Sequence, residues 1–212
     1  MKGERARKIL ALLKKTHPNA KCALNHRTPL QLLVATILSA QCTDVRVNKV
    51  TPELFKKYPS AASLARAPLP RLEKLVRSTG FYRQKAKSIQ RTAGELVSRF
   101  KGQVPRRLEE LVTLPGVWRK TANVILGNCY ETPGIVVDTH VKRLAFRMGL
   151  TKESDPDKVE RDLMRQLPPK EWTGFSHRMI FHGRRICGAL RPACAECTAL
   201  KLCPRRGLPP LR

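Results

Sequence analysis

The spacing of the apolar residues limits this chain to helices. Over most of its length, apolar side chains recur at intervals of three and four residues, as they do along the buried stripe of a helix. The longest strand-like segment is the short apolar run Ile135-Val136-Val137. The sequence therefore predicts an all-α fold of roughly ten short helices, without an internal repeat or a low-complexity segment.

Capping residues set several of the predicted boundaries. Thr28-Pro29-Leu30-Gln31 is typical of a capping box with proline in the first helical position. Asp44 is expected to cap the helix that follows, and Asp138 a helix that begins at Thr139. The predicted helices cover residues 4–15, 30–40, 45–58, 60–66, 69–78, 81–100, 106–114, 119–127, 139–148, 156–167 and 170–182.

The charge of the chain favours a polyanionic partner. It has 42 Lys and Arg residues against 16 Asp and Glu, a formal net charge of +26. Such a surface repels itself unless it meets a polyanion, which favours nucleic acid over an anionic membrane or a generally basic proteome. No apolar run approaches the ~18–20 residues of a membrane span, and the N-terminus lacks the features of a secretory signal. We therefore expect a cytoplasmic, nucleoid-associated protein.

A short turn, Leu114-Pro115-Gly116-Val117-Trp118, separates two predicted helices. This is the pattern of a helix-hairpin-helix element. A glycine allows the turn to approach a phosphate closely, and the N–H groups that open the second helix point at the anion. Arg119 and Lys120 add positive charge there, so the hairpin is expected to bind the DNA backbone without reading its sequence. An ordinary turn between helices is the alternative.

Lys120 and Asp138 are the candidate catalytic residues. Lys120 lies in the first turn of a predicted helix, where the helix dipole disfavours a protonated amine and partial burial would act in the same direction. A neutral amine can attack C1′ of a deoxyribose, and the resulting Schiff base permits strand cleavage by β-elimination. Asp138 can stabilise positive charge on the sugar and move protons. The alternatives are a phosphate-binding or solvated lysine and a plain N-cap.

Four cysteines close to the C-terminus, Cys187, Cys194, Cys197 and Cys203, form a C-x6-C-x2-C-x5-C array. In a reducing compartment such an array indicates a metal site rather than disulfides. Four thiolates fit either a tetrahedral zinc ion or a [4Fe–4S] cluster, and the spacing alone does not decide between them. The three remaining cysteines, Cys22, Cys42 and Cys129, are expected to be small buried apolar residues.

Basic residues surround this cysteine array. Only one acidic residue, Glu196, lies among them between His182 and the C-terminus. The loop is therefore predicted to make a second contact with the DNA backbone. Its basic residues are Arg184, Arg185, Arg191, Lys201, Arg205, Arg206 and Arg212.

Four motifs together resemble the endonuclease III family, bacterial DNA glycosylase/abasic-site lyases of the helix-hairpin-helix superfamily. They are LPGVWRKTANVIL at 114–126, VDTH at 137–140, HGRRIC at 182–187 and the cysteine spacing. The resemblance covers nearly the whole chain. It implies a helical domain at 22–132 that carries the hairpin, and a second domain from 1–21 and 133–212 that ends in a [4Fe–4S] loop at 187–203.

The resemblance also implies roles for individual residues. Lys120 would be the Schiff-base nucleophile, Asp138 its carboxylate partner, and the four cysteines the cluster ligands. Gln41 would fill the gap left by a flipped base, and Phe81 would wedge into the opposite strand. The partner would be double-stranded DNA containing damaged pyrimidines or abasic sites, bound by a monomer. Further DNA contacts are expected from Gly116, Trp118, Arg119, His140, Arg184, Arg185 and Arg191.

Two positions depart from the family pattern. Leucine is expected at the wedge, where this chain has Phe81, whose ring can stack on a base. The hairpin normally has a second glycine where this chain has Trp118. If φ is positive there, tryptophan costs about 1–2 kcal/mol and distorts the turn; if φ is negative, the indole projects from the hairpin. In both cases we expect a competent enzyme weakened at this point.

Two other functions are compatible with parts of the sequence. An adenine-mismatch glycosylase shares the hairpin, the aspartate and the cluster, but it lacks a lysine at the position of Lys120 and has a long additional C-terminal domain. A non-catalytic DNA-binding or damage-sensing protein is the other alternative, and Trp118 is its main support. The presence of both Lys120 and Asp138 favours the bifunctional enzyme.

Overall fold

The computed structural model describes residues 3–210, so residues 1–2 and 211–212, among them Arg212, lie outside it. The described part contains helices and no strand, which confirms the predicted all-α class. Four short 3₁₀ helices lie at Arg77–Thr79, Pro169–Glu171, Cys194–Glu196 and Leu200–Leu202. The α-helices are α1 Glu4–Thr16, α2 Pro29–Ser39, α3 Asp44–Lys57, α4 Ala61–Ala65, α5 Leu69–Val76, α6 Tyr82–Phe100, α7 Leu108–Leu111, α8 Arg119–Cys129, α9 Thr139–Arg147, α10 Pro156–Met164 and α11 Trp172–Arg185.

The chain forms two compact units. The continuous unit, Cys22–Thr132, contains α2 to α8, and the split unit combines Met1–Lys21 with Pro133–Arg212. Each unit has its own apolar core. Cys22, Cys42 and Cys129 are half-buried and pack against the core of the continuous unit.

Helix α2 is the centre of the continuous unit. It is apolar nearly all round, and Leu32, Leu33 and Leu38 are fully buried, which explains why its sequence shows little amphipathic pattern. Thr28 caps it by accepting a hydrogen bond from the Gln31 N–H at 3.2 Å. The Gln31 side chain accepts a hydrogen bond from the N–H of Arg27. In the predicted capping box it would accept from the N–H of Thr28, so this second bond of the box is shifted by one residue.

Several predicted boundaries were wrong. The helix predicted at 156–167 ends at Met164. Thr43, not Asp44, caps α3 by accepting from the Arg46 N–H. The helix predicted at 106–114 is confined to α7, because Thr113 and Leu114 donate to carbonyls three residues back and so form tight turns. The helix predicted at 170–182 begins at Trp172, after a 3₁₀ turn, and continues to Arg185.

In the split unit, α1 is attached to segments from the far end of the chain. Its apolar stripe, which includes Ile9 and Leu13, is fully buried in the core. Lys14 forms an ion pair with Glu171 at 2.6 Å, and the hydroxyl groups of Thr16 and Thr198 lie 2.9 Å apart. No helix within residues 3–210 is long and apolar enough to cross a membrane.

Candidate active site

The hairpin between α7 and α8 is held firmly against α6. Leu114 and Val117 are buried, and the N–H of Val117 donates to the carbonyl of Leu114 at 3.1 Å. The Thr92 hydroxyl of α6 donates to the carbonyl of Pro115 at 2.7 Å. Gly116 adopts φ +75°, a conformation that other residues reach only with strain, so the turn requires this glycine.

Trp118 is accommodated without backbone strain. It is the N-cap residue of α8, with φ −96° and ψ 167°, which is ordinary extended backbone. The positive-φ alternative is therefore excluded, and the indole projects from the hairpin with 78% of the residue exposed. No side chain caps α8, so its first N–H groups remain available to an anion such as a phosphate.

Lys120 is the second residue of α8 and is exposed, as is Arg119 before it. The partial burial considered for this lysine is therefore absent. The amine lies at the positively polarised end of the helix, on the surface that the hairpin presents. This places a potential nucleophile where a sugar–phosphate backbone bound by the hairpin can reach it.

Asp138 caps α9, as predicted. Its Oδ1 atom accepts a hydrogen bond from the N–H of Val141 at 2.8 Å, and the residue is half-buried. The preceding apolar link is fixed by the N–H of Val136, which donates to the Ser176 hydroxyl at 3.0 Å. The carboxylate is thus held in one orientation by the start of the helix.

Gln41 and Phe81 share an unusual backbone conformation. Both are exposed, and both lie in the left-handed region, with φ 51° and 48°. For residues with a side chain this conformation costs about 1–2 kcal/mol and persists only where the surroundings enforce it. The two residues expected to enter the DNA are therefore the tips of two constrained turns.

Lys85 connects those turns, a role that was not predicted from the sequence. The residue is 5% exposed, and its Nζ atom donates to the carbonyls of Leu38 at 2.8 Å and of Thr79 at 2.7 Å. These carbonyls lie three residues before Gln41 and two before Phe81. Burial lowers the pKa of Lys85. The sequence did contain an indication of this role, because a lysine at position 85 interrupts the buried stripe of α6 that contains Ile89, Thr92 and Leu96.

The four array cysteines are half-buried and line one pocket in the split unit. Met148, Leu200 and Leu208 supply apolar walls. Burial raises the pKa of the Cys197 and Cys203 thiols, so metal binding there has to displace protons. In the described part of the chain no three His, Cys, Asp or Glu side chains converge closely enough to hold a metal ion.

Two cationic or N–H groups face the sulfur atoms. Arg147 donates to Cys187 Sγ at 3.5 Å and to the carbonyls of Gly188 and Ala189, each at 2.7 Å. His182, fully buried, has its Nε2 atom 3.3 Å from Cys197 Sγ. Neither role was predicted from the sequence, because both residues lie on buried helix faces outside the cysteine loop.

A second histidine completes this arrangement. His182 Nδ1 lies 3.1 Å from His17 Nε2 at the end of α1. Burial, with a smaller contribution from His17, lowers the pKa of His182 to about 4, so the ring is neutral at physiological pH. A neutral His182 that donates from Nε2 to the sulfur must accept at Nδ1, which makes His17 Nε2 the donor.

The remaining predicted DNA contacts lie on α9, α11 and the loop after it. His140 is half-buried, with Nδ1 3.2 Å from Arg143 Nη2, and burial lowers its pKa despite the opposing effect of Asp138. Gly183 packs so closely here that a Cβ atom on it would lie 2.9 Å from the Cβ of His140. Exposed basic side chains follow at Arg184, Arg185 and Arg191.

Comparison with known proteins agrees with this geometry. Residues 34–169, more than half of the chain, match the family model described as HhH-GPD superfamily base excision DNA repair protein. Endonuclease III of Synechocystis sp. is 55% identical over 96% of this chain and 93% of its own length. Endonuclease III of Bacillus subtilis is 46% identical over 88% and 85%. A trapped endonuclease III–DNA covalent intermediate superimposes with a TM-score of 0.92, at 44% identity and 97% coverage of each chain.

The helical fold and the hairpin thus define a helix-hairpin-helix protein of base excision repair. Within that class, the chain belongs to the endonuclease III family. The predicted enzyme class, a bifunctional DNA glycosylase and abasic-site lyase, is confirmed.

Proposed function

We propose that this enzyme removes damaged pyrimidines from double-stranded DNA and cleaves the resulting abasic site through Lys120. The observation that carries the assignment is the position of Lys120, exposed in the first turn of α8 directly after the hairpin. The covalent endonuclease III–DNA intermediate, 44% identical to this chain, supports covalent chemistry in the family. We infer that the enzyme acts as a monomer in the cytoplasm, associated with the nucleoid.

The chemistry follows from the amine. The neutral Nζ atom attacks C1′ of the deoxyribose, the glycosidic bond breaks, and the base leaves with a proton. Opening of the sugar ring gives a Schiff base between Lys120 and C1′. Loss of a proton from C2′ then expels the 3′ phosphate and breaks the strand. Asp138, oriented by its cap to α9, stabilises the positive charge that develops on the sugar and accepts or returns protons.

Gln41 and Phe81 would separate the base from the duplex. A rigid side chain can occupy the space that a flipped base leaves, and an aromatic ring can stack on the unpaired base opposite. Both residues are exposed on constrained turns joined by Lys85. This arrangement supports their role, because a side chain on a flexible turn could not keep two bases apart.

We propose further that Cys187, Cys194, Cys197 and Cys203 hold a [4Fe–4S] cluster. Four thiols around one pocket supply the required donor set. When bound, the cluster supplies a fixed cross-link for the loop and a redox couple. Arg147 and His182 would offset the negative charge of the sulfur atoms by hydrogen bonding.

The loop that follows α11 would then bind the DNA backbone. Arg185 is exposed, with its guanidinium 5.2 Å from the centre of the Phe181 ring, and Arg191 is exposed as well. A loop attached to a cluster through four cysteines would position these cations better than the same loop without the cluster. His140 and Arg184 are assigned to the same interface.

Borohydride trapping tests the assignment of Lys120. The full-length protein is incubated with a duplex that contains an oxidised pyrimidine or an abasic site, and the Schiff base is reduced to a stable adduct. We expect the adduct with the wild type and with Lys56→Ala, which removes an exposed lysine of α3. It should be absent with Lys120→Ala. An adduct that persists in Lys120→Ala refutes the assignment, and its absence from the wild type with DNA binding intact would favour a non-catalytic damage sensor.

A further inference from the structure

A groove beside the hairpin carries a row of basic residues that the repair reaction does not require. Arg83, Lys87 and Arg91 are all exposed on one face of α6, and all three line this groove. Their spacing of four residues places one cation about every 6 Å, over a row of about 12 Å. The opposite face of α6 is buried in the core, so the helix that presents the row is fixed.

The other walls of the groove come from α5 and the hairpin. Glu73 is the single acidic residue among the lining side chains, against three basic ones. None of the three cations has an ion-pair partner within residues 3–210. Gly116 and Trp118 form the hairpin wall. The groove therefore combines unpaired positive charge with an exposed indole.

The hairpin wall does not move freely relative to the basic row. The bond from Thr92 to the Pro115 carbonyl joins the hairpin to α6. A Cβ atom on Gly116 would lie 3.7 Å from the Ser88 side chain of the same helix. The backbone segments that carry the indole and the cations consequently belong to one rigid part of the continuous unit.

We propose that this groove binds an unpaired segment of a nucleic-acid strand, with phosphates on Arg83, Lys87 and Arg91 and a base stacked on Trp118. Alternating cations and an aromatic face are the usual means of holding single strands. Within a duplex both faces of each base are already covered, so the indole can stack only on an unpaired base.

The positive charge of the groove is also compatible with an acidic peptide as the ligand. Nucleic acid is favoured because an indole adds most to a ligand with a planar face, and because the groove adjoins the hairpin wall that binds phosphate. The proposal goes beyond the repair function, since neither Lys120 nor a lesion takes part in it.

Fluorescence of Trp118 provides the test. Trp172→Phe leaves Trp118 as the sole tryptophan in the full-length protein. This protein is titrated with undamaged single-stranded oligothymidylate, with inorganic polyphosphate and with polyglutamate. We expect oligothymidylate to quench the fluorescence at micromolar concentration and polyphosphate to bind without comparable quenching. Equal quenching by polyphosphate, or tighter binding of polyglutamate than of oligothymidylate, overturns the proposal.

Charge variants locate the site. Replacing Arg83, Lys87 and Arg91 with glutamine should weaken oligothymidylate binding at least tenfold. It should also reduce the slope of log K against log salt by about 2, at roughly 0.7 per phosphate contact. A matched triple variant, Lys56→Gln with Arg71→Gln and Lys74→Gln, removes the same charge from exposed positions of α3 and α5. The proposal fails if the two triple variants bind alike.

The stacking contribution is measured separately with a labelled oligonucleotide. Trp118→Ala should weaken binding of oligothymidylate by about 5- to 100-fold, the usual loss for one stacked base. Unchanged binding refutes the stacking. Borohydride trapping on a damaged duplex reports on Lys120 independently, so failure of the groove proposal and failure of the repair assignment give different results.

Discussion

Replacing Lys85 with methionine removes the ammonium group that ties together the turns of Gln41 and Phe81. Two carbonyls, of Leu38 and Thr79, lose their donor in a buried position. Hydrogen bonds to a charged group contribute about 1.5–3 kcal/mol each, and an orphaned buried acceptor costs about 1–3 kcal/mol. Methionine carries no charge, so the variant avoids the cost of burying an ammonium group, and this offsets part of the loss. We therefore expect the free energy of unfolding to fall by roughly 1–3 kcal/mol.

Lys85→Met should also slow base extrusion in the protein that remains folded. Without the shared donor, both turns can relax from the left-handed conformation, which each holds at a cost of about 1–2 kcal/mol. Single-turnover base release from a damaged duplex should then fall about tenfold or more, equivalent to about 1.4 kcal/mol in the barrier. Cleavage of an abasic site in a single strand, which needs no base extrusion, should change little. The matched control is Lys74→Met, at an exposed position of α5.

Alkaline pH provides a check on the cause. Because burial lowers the pKa of Lys85 below its ordinary value of 10.5, the folded protein releases this proton at a lower pH than the unfolded chain. Between the two values the unfolded chain binds more protons, so the free energy of unfolding rises with pH. Urea unfolding should therefore show a wild-type advantage over Lys85→Met that increases as pH approaches 10.5. A constant difference would contradict the lowered pKa of Lys85, and unchanged base release would refute its positioning role.

Three further substitutions test other parts of the structure. Asp138→Asn keeps a capping side chain on α9, so the thermal midpoint should stay close to that of the wild type. Single-turnover base release should fall about 10²- to 10⁴-fold. A fall in the thermal midpoint large enough to account for the lost activity would contradict the catalytic role. Trp118→Gly should lower the free energy of unfolding by roughly 0.5–1 kcal/mol, because φ −96° leaves no strain to relieve; stabilisation would show that strain exists. His182→Leu removes the imidazole whose Nε2 atom lies 3.3 Å from Cys197 Sγ. If this nitrogen donates to the sulfur of a cluster ligand, the midpoint potential of the protein with the proposed cluster should become more negative, and an unchanged potential would exclude the hydrogen bond.

Local patterns predicted the parts of the fold that local interactions determine. The caps at Thr28 and Asp138 accept hydrogen bonds from N–H groups three residues ahead, so the interaction lies within a few consecutive residues. The Pro-Gly of the hairpin likewise predicted a turn between two helices, in which Gly116 adopts φ +75°. For Trp118 the sequence left two conformations open, because its neighbours permit both.

Long-range interactions explain what the sequence did not predict. The left-handed conformations of Gln41 and Phe81 have no local cause in their own residue types, whereas Lys85 contacts a carbonyl 47 residues away. The bonds from Arg147 to the cysteine loop span 40 to 42 residues. A pattern of apolar spacing identifies which helix face is buried, but it does not identify which distant carbonyl a buried cation will meet.

The attachment of α1 to the far end of the chain also affects how the protein is made. His17 and His182 are 165 residues apart, and a ribosome adds about 5–20 residues per second. The stripe with Ile9 and Leu13 is therefore synthesised roughly 8–33 s before its partner on α11. During that interval α1 lacks the core in which it is buried in the folded protein. Apolar surface exposed in this way on a nascent chain is a site for chaperone binding or aggregation.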